Sequence, residues 1–220
     1  MFMTITLAEV DVILLADRAA FLEKSRSLVI ADLHLGKAAT FRAAGLAVPE
    51  GHMESDMARL FRLMTETNAD RLIIAGDMIH AAEGLTEPVL DLIARSIEKI
   101  GRPVILTEGN HDQRARRFYN RLPVEIVPQL ETDGLVITHE PDDLAPAVPG
   151  ICGHLHPGIK LKQGRRTSHK VPGFALNHNR HLVLPAFSEF TGIYPVEVHP
   201  PKHRFFAPVQ NRVVELRATA

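Results

Sequence analysis

Residues that can bind metal ions or transfer protons recur at the ends of short apolar runs in this sequence. They are Asp32 and His34 after residues 28–30, Asp77 after 72–75, Asn110, His111 and Asp112 after 103–106, His139 after 135–138, and His154 and His156 within 153–157. Carboxylate, imidazole and amide groups can ligate a metal, move a proton and orient the group that moves it. The pattern indicates a catalytic centre rather than a set of core side chains.

The candidate metal ligands outnumber what one ion needs. They are Asp32, His34, Asp77, Asn110, His139, His154 and His156. Mixed carboxylate, imidazole and amide donors suit borderline divalent ions such as Mn²⁺, Fe²⁺ or Zn²⁺. Two such ions that share a carboxylate lie roughly 3.5–4 Å apart, a separation suited to in-line displacement at phosphorus. The residues therefore predict phosphoester hydrolysis.

The elements that must position these residues follow from the hydrophobic pattern. Runs such as 72–75 and 103–106 predict buried strands, whereas residues 53–66 and 87–100 have apolar residues at helical spacing. Alternating strands and helices predict an α/β fold with its ligands at the strand ends. We expect Asp32 and His34 to share one side of an extended strand end, and His154 and His156 to do the same on a fifth strand. Gly109 is expected to allow a sharp turn.

Composition limits the possible class of protein. The chain has 220 residues, 45% of them hydrophobic, with 25 Lys and Arg against 26 Asp and Glu. This predicts one globular domain over residues 1–220, and the overall charge favours neither nucleic acid nor an acidic partner. A single cysteine, Cys152, excludes an intrachain disulfide. Because Glu9, Asp11 and Asp17 interrupt the first apolar stretch, no signal peptide or membrane span is expected, and cytoplasm is the predicted location.

Local charge is less even than the total. No acidic residue occurs between Leu144 and Ser188, a window that contains Lys160, Lys162, Arg165 and Arg166. A positive loop beside the histidines could hold a polyanion, and a solvated hairpin is the alternative. His80, close to Asp77, could face substrate or support the structure, whereas His52 is expected at the surface or in packing.

The motif series resembles the calcineurin-like metallophosphoesterases. Its blocks are Asp32-Leu33-His34, Gly76-Asp77, Gly109-Asn110-His111-Asp112, Thr138-His139 and Gly153-His154-Leu155-His156. The resemblance implies a sandwich of two mixed β-sheets flanked by helices, with the metal site at strand ends. It also implies two divalent ions, the first held by Asp32, His34, Asp77 and His156 and the second by Asp77, Asn110, His139 and His154.

The same resemblance implies roles for two further residues. His111 would protonate the leaving oxygen, and Asp112 would fix the His111 ring and raise its basicity.

Other segments resemble the bacterial ligase-associated DNA-damage-response metallophosphoesterases. They include residues 32–37, residues 41–49, and Leu184-Pro185-Ala186-Phe187 with Thr191-Gly192. That resemblance implies a Mn²⁺-dependent phosphodiesterase and DNA endonuclease that acts beside a DNA ligase, a helicase and an exonuclease. We expect single-stranded DNA as substrate, with Arg42, His80, Lys160, Lys162, Arg165 and Arg166 as candidate contacts.

Two alternatives remain open at this point. The near-balanced charge also suits a phosphatase or phosphodiesterase for small nucleotides. From a different class, the chain could be a binding scaffold that has lost catalysis, but such a scaffold is expected to lack ligands, and none is missing here.

Overall fold

The computed structural model describes residues 2–163 and 167–216. Its first sheet follows the order of the chain: β1 (Phe2–Leu7), β2 (Val10–Leu15), β3 (Ala19–Leu22), β4 (Ser27–Ile30), β5 (Arg71–Ala75), β6 (Val104–Thr107) and β7 (Glu125–Val127). Strands β1 to β4 pair antiparallel and β4 to β7 pair parallel. Strands β4 and β6 are buried along their whole length, as expected for parallel strands covered on both faces.

Helices cover one face of this sheet. The first helix in the chain, α1 (Lys37–Ala43), has no buried residue, and the helices that pack on the sheet are α2 (His52–Glu66), α3 (Glu87–Glu98) and α4 (Asn110–Ala115). Leu60 of α2 and Ile93 of α3 are fully buried in the same apolar cluster as Leu28 and Ile74 of the sheet. Within the described residues, no helix is long and apolar enough to cross a membrane.

The second sheet packs on the other face of the first. Its strands, in spatial order, are β17 (Arg212–Leu216), β16 (His203–Val209), β13 (Phe174–Asn177), β14 (His181–Val183), β10 (Gly150–Cys152), β9 (Leu135–Ile137) and β8 (Leu130–Thr132). Strands β14, β10 and β9 run parallel. The core between the sheets contains Val29 and Ile73 from the first and Ile151, Phe174 and Phe206 from the second.

A third, small sheet lies against the outer face of the second. It contains β12 (Thr167–Pro172), β11 (Pro157–Gln163) and β15 (Tyr194–Pro195). Ile159 of β11 and Val171 of β12 pack on the cluster that includes Cys152 and Phe205. The predicted α/β sandwich of two mixed sheets with flanking helices is confirmed.

Two local expectations about the strand ends are wrong. The segment 153–156 is not a fifth strand, because β10 ends at Cys152 and the histidines lie in the loop beyond it. Asp32 and His34 are not extended either; their φ angles are 55° and 46°, in the left-handed region. Side chains in these loops are placed by turns and not by strand alternation.

The helix α2 interface gives a stability prediction. Leu60 is fully buried, so Leu60→Ala removes apolar contacts and leaves a cavity, and we expect the free energy of unfolding to fall by about 2–5 kcal/mol. Leu46→Ala is the matched control, since Leu46 is 56% exposed and a surface change of this kind stays within about 0.5 kcal/mol. Urea unfolding followed by circular dichroism measures both. Equal losses for the two variants would contradict the packing of α2 on the sheet.

Candidate metal centre

The loops after β4 and β5 run side by side and carry the first ligand candidates. Asp32 N–H donates to Gly76 O (3.1 Å), His34 N–H to Asp77 O (2.9 Å) and Leu35 N–H to Met78 O (2.7 Å). These bonds continue the parallel pairing of β4 and β5 past the ends of the strands. Asp32, His34 and Asp77 are therefore held at one edge of the first sheet.

Five of the candidate ligands have a left-handed backbone. Their φ angles are 55° at Asp32, 46° at His34, 51° at Asp77, 68° at His154 and 45° at His156. A non-glycine residue in this region costs about 1–3 kcal/mol, and such residues concentrate at functional sites. The concentration of this strain on metal-ligating residue types marks the loops as a built site.

One group of donor atoms comes from Asp32, His34 and His156. His156 Nε2 lies 3.2 Å from Asp32 Oδ1 and 3.5 Å from His34 Nε2. Two ligand atoms that each lie about 2.1 Å from one ion at right angles are about 3 Å apart. The observed spacing is thus that of atoms able to share an ion.

A second group converges on His139 Nε2. Asn110 Oδ1 lies 3.1 Å from it, His154 Nδ1 3.2 Å and Asp77 Oδ2 3.4 Å. The other ring nitrogen, His139 Nδ1, donates to Ala75 O (3.1 Å), which directs Nε2 toward the group. A metal-binding histidine usually donates its remaining N–H to a carbonyl or carboxylate in this way.

The two groups adjoin, because donor atoms of Asp32, Asp77 and His139 all lie within 4.8 Å of one another. The link between the sheets is direct: His154 N–H, from the second sheet, donates to the Asp32 carboxylate at 3.1 Å. The structure therefore brings together all seven side chains that the sequence nominated as ligands.

Three glycines allow this convergence. A Cβ at Gly76 would collide with the His139 ring, and one at Gly109 would collide with the Asp77 carboxylate. A Cβ at Gly153 would lie 2.7 Å from Ala31 Cβ and Ala75 O. Gly109 itself has φ −95°, so a residue without a side chain is needed there for space and not for the sharp turn that the sequence suggested.

Burial and the pairing of neighbouring donors together set the charge of the donor groups. Burial lowers the pKa of His34 to about 2, so its ring is neutral and keeps a lone pair for a metal. For Asp77, burial raises the pKa, but the hydrogen bond and charge of His139 outweigh this effect and lower it to about 2. Burial lowers the pKa of His139, yet Asp77 raises it to about 9. Without a cation the proton therefore belongs to His139, opposite the Asp77 carboxylate, and a bound cation would displace it, because metal ligands must be deprotonated.

His111 and His80 form a pair beside the donor groups. The His111 ring stacks on the His80 ring, with centroids 4.9 Å apart and planes 21° apart, and His111 Nδ1 donates to His80 O. His111 N–H donates to Asp77 Oδ1 (2.9 Å), which connects the helix α4 backbone to a candidate ligand. Burial, followed by the charge of Lys37, lowers the pKa of His80 to about 4.

The expected contact between Asp112 and the His111 ring is wrong. The buried Asp112 carboxylate accepts Gly109 N–H (3.0 Å), Ile79 N–H (3.1 Å) and the Tyr119 hydroxyl. Burial raises its pKa to about 6 against the opposing effect of these donors. Asp112 anchors the loops after β5 and β6, and His80 O takes the role of orienting His111.

The predicted substrate contacts lie on different elements and do not converge as the ligand candidates do. Arg42 lies on α1 beside a cavity that His34 also lines, and Lys160 is an exposed residue of β11, the strand that begins directly after His156. Lys162 belongs to the same strand, whereas Arg165 and Arg166 lie outside the described residues.

Sequence reasoning left several residues near the site without a role. Lys37 is close enough to Asp32 and Asp77 for their charges to affect its pKa, which burial lowers. His52 stacks on Phe190, and the exposed Tyr194 lies 6.3 Å from His156 between ring centroids. Of these residues, only Lys37 could have been linked to the site from the sequence, since it follows the candidate ligand His34 by three residues.

The donor set fits a pair of divalent cations. Neutral imidazoles, carboxylates and an amide oxygen match borderline divalent ions. His34 Nδ1 and His80 Nδ1 are buried and have no hydrogen-bond partner among the described residues. A buried polar atom without a partner costs free energy, so these two nitrogens suit a centre that binds a further group better than one that contains protein atoms alone.

Gly76 gives a prediction about this centre. We expect Gly76→Ala to weaken Mn²⁺ binding by about 10–100-fold, because the added methyl displaces the His139 ring from its orienting bond to Ala75 O. Gly101→Ala is the control: Gly101 also has a positive φ (63°), but a Cβ there meets nothing within 4 Å among the described residues. Titration calorimetry with Mn²⁺ measures both, and equal affinities would overturn the packing argument.

The comparisons with known proteins agree with this geometry. Residues 25–154 match the family described as calcineurin-like phosphoesterase. The crystal structure of Pseudomonas putida nuclease MPE is 29% identical, has a TM-score of 0.82, and aligns over 98% of this chain and 100% of that one.

Two further structures have lower TM-scores and lower identity. Yfce, a phosphoesterase from E. coli, has a TM-score of 0.42 and 16% identity, over 86% of this chain and 97% of that one. The protein of unknown function AQ665 from Aquifex aeolicus has a TM-score of 0.40 and 17% identity, over 58% and 77%. A comparison with curated protein sequences found no significant match. Because the family match covers more than half of the chain, the protein belongs to the calcineurin-like phosphoesterases and is a metal-dependent phosphoesterase.

Proposed function

We propose that the protein is a phosphodiesterase that cleaves DNA at a centre of two divalent metal ions. The observation that carries the proposal is the pair of adjoining donor groups, one around His156 Nε2 and one around His139 Nε2. In this proposal Asp32, His34 and His156 would hold one ion, and Asn110, His139 and His154 would hold the other. Asp77 would contribute to both, since its donor oxygen lies within 4.8 Å of donors from Asp32 and His139.

The similarity to a nuclease, over 98% of the chain at a TM-score of 0.82, supports a nucleic acid as the substrate. The choice of DNA comes from the sequence resemblance. The third sheet adds local positive charge: Lys160 and Lys170 are opposite one another in the β11–β12 register and both are exposed. Like charges in this arrangement repel, and a phosphate backbone between them relieves the repulsion.

The chain's own residues have distinct tasks in the reaction. When bound, the two ions neutralise phosphate charge and lower the pKa of a water so that it can act as the nucleophile. His111 uses Nδ1–H to bind His80 O, which leaves Nε2 to carry the proton that the leaving oxygen takes. Asp112 acts at a distance as a positioning residue through Gly109 and Ile79. Lys37 offers a cation next to the two acids.

Finer features of the function stay predictions of the sequence resemblance. They are Mn²⁺ as the resident ion, single-stranded DNA as the preferred form, a DNA-repair setting with a ligase, a helicase and an exonuclease as partners, and a cytoplasmic location. A phosphatase or phosphodiesterase for small nucleotides is the alternative that an activity test must separate from this proposal.

Three substrates test the function directly. With Mn²⁺ added, we expect purified protein to hydrolyse bis(4-nitrophenyl) phosphate and to linearise circular single-stranded DNA, and to act poorly on 4-nitrophenyl phosphate. Preference for the monoester would overturn the nuclease proposal in favour of a phosphatase. Inertness toward all three substrates would also overturn the nuclease proposal.

Asp77→Asn tests the shared ligand. The amide keeps an acceptor for His111 N–H but removes the negative charge, so we expect diester hydrolysis to fall by more than about a hundredfold, a loss greater than that typical of a residue that only orients a ligand. Asp91→Asn is the control, because Asp91 is an exposed residue of α3 that pairs with Arg121. Normal hydrolysis by Asp77→Asn would remove Asp77 from the centre.

His111→Gln tests the acid. For a poor leaving group such as a DNA alkoxide, we expect kcat to drop by about 10²–10⁴-fold, because general-acid catalysis contributes that much. For 4-nitrophenolate, which leaves without a proton, the expected loss is below about tenfold. His199→Gln, at an exposed histidine, is the control. Equal losses on both substrates would contradict proton donation by His111.

A further inference from the structure

A cavity of about 310 Å³ lies next to the candidate ligand His34. Residues of α1, of α2 with the segment before it, and of α3 line it. Leu33, Leu35, Val89 and Leu92 give it apolar walls. Small-ligand pockets occupy roughly 300–1,000 Å³, so this cavity suits a single flat ring system and not a large molecule.

Aromatic rings connect the cavity with His111. His52 and Phe190 both line it and are stacked, with centroids 4.7 Å apart and planes 20° apart. Phe41 contacts Phe190 edge to face (5.6 Å) and His80 edge to face (5.9 Å), and His80 stacks on His111. A row of rings thus leads from the proposed proton donor to the cavity.

The segment that carries Phe190 is held in place. Its backbone N–H donates to Ser188 Oγ (3.3 Å), and Glu189 N–H donates to Asp56 Oδ1 (3.4 Å). Buried Asp56 also pairs with Arg59 (2.9 Å), whose guanidinium lies over the Phe187 ring at 4.2 Å. Phe190 is therefore presented in a fixed position, which limits the conformational entropy that a bound ligand would lose.

The charged residues around the cavity favour a neutral group inside it and an anionic group beside it. Glu50 and Glu54 line the cavity from the α2 side and disfavour a phosphate inside it. Lys37 and Arg42 line it from α1, and Lys37 is close enough to interact with Asp32 and Asp77. A neutral aromatic group in the cavity, joined to an anionic group near α1, satisfies both sides.

We propose that the cavity receives one unpaired nucleobase of a single-stranded nucleic acid, which extends the stack that Phe190 forms with His52, while a neighbouring phosphodiester lies at the metal centre. This inference rests on the proposed phosphodiesterase function. A base has an apolar face for stacking and polar edges that Glu50 or Glu54 can accept from. A base within a duplex can enter only after it is unpaired and unstacked, which favours single strands.

A binding cycle without catalysis tests the proposal. Fluorescein-labelled oligothymidylates of six nucleotides with cleavage-resistant phosphorothioate linkages are titrated by anisotropy with Mn²⁺ present, intact or with one abasic residue at each position in turn. For the wild-type protein, we expect one abasic position to weaken binding by about five- to a hundredfold, the range for losing one stacked base. We expect Phe190→Leu to bind the intact strand as weakly as the wild-type protein binds the abasic strand. The abasic residue should then cause no further loss of affinity in this variant.

Two further variants make the cycle specific. Phe190→Tyr keeps an aromatic face and should restore wild-type affinity, which a purely structural role of Phe190 would not require. Phe61→Leu is the matched control, since Phe61 lies on α2 and packs in the core beneath, with Lys99 Nζ 5.0 Å from its ring centroid. It should keep the full abasic penalty.

The outcomes separate this inference from the proposed function. Abasic penalties that are identical in wild type and Phe190→Leu, or absent from both, would overturn the base-binding cavity, even if Mn²⁺-dependent cleavage of diesters is normal. If the abasic penalty is present in the wild type and lost in Phe190→Leu, but no diester is cleaved, the phosphodiesterase proposal is overturned and the cavity assignment stands. With cleavage present, Phe190→Leu should raise KM for intact strands and leave KM for wholly abasic strands unchanged.

Discussion

The centre depends on how closely the carboxyl ends of the two sheets approach each other. Gly153 brings the second sheet so near to Ala31 and Ala75 that any side chain there would overlap the first sheet. The same approach lets His139 bind Ala75 O and lets His154 N–H reach the Asp32 carboxylate. Packing between the sheets and assembly of the donors are therefore one event, because the contacts that close the core also orient the ligands.

The loops at this junction hold their donors in a conformation that the chain disfavours. Each left-handed residue such as Asp32 or Asp77 costs about 1–3 kcal/mol relative to a relaxed backbone. Backbone hydrogen bonds between the two loops and the fully buried strands beneath them oppose this cost. A centre built in this way is rigid before any ion arrives, so that binding does not have to order the ligands.

Sequence patterns were sufficient to predict the features that depend on residues close together in the chain. Strands β5 and β6 are apolar runs that end in polar residues, so the fold class and the donors at their ends could be predicted. Contacts between distant segments could not. The role of Asp112 depends on Ile79 and Tyr119, and Phe190 gains its place through Asp56, far away in the chain. No spacing rule predicts a left-handed loop or a stacking partner that only the tertiary fold brings near.

Local charge explains how a nearly balanced chain can attract an anionic substrate. Asp32 and Asp77 lie buried at the bottom of the centre, where they repel a phosphate. The divalent ions that the family uses are larger charges than these acids and reverse the local sign. Lys37 and the Lys160–Lys170 pair then extend the positive region outward over three elements, α1, β11 and β12. The total charge of −1 does not reveal this arrangement, because it adds the acids of the centre to the lysines at its edge. The substrate meets these acids and these lysines at different depths, so their effects on it differ.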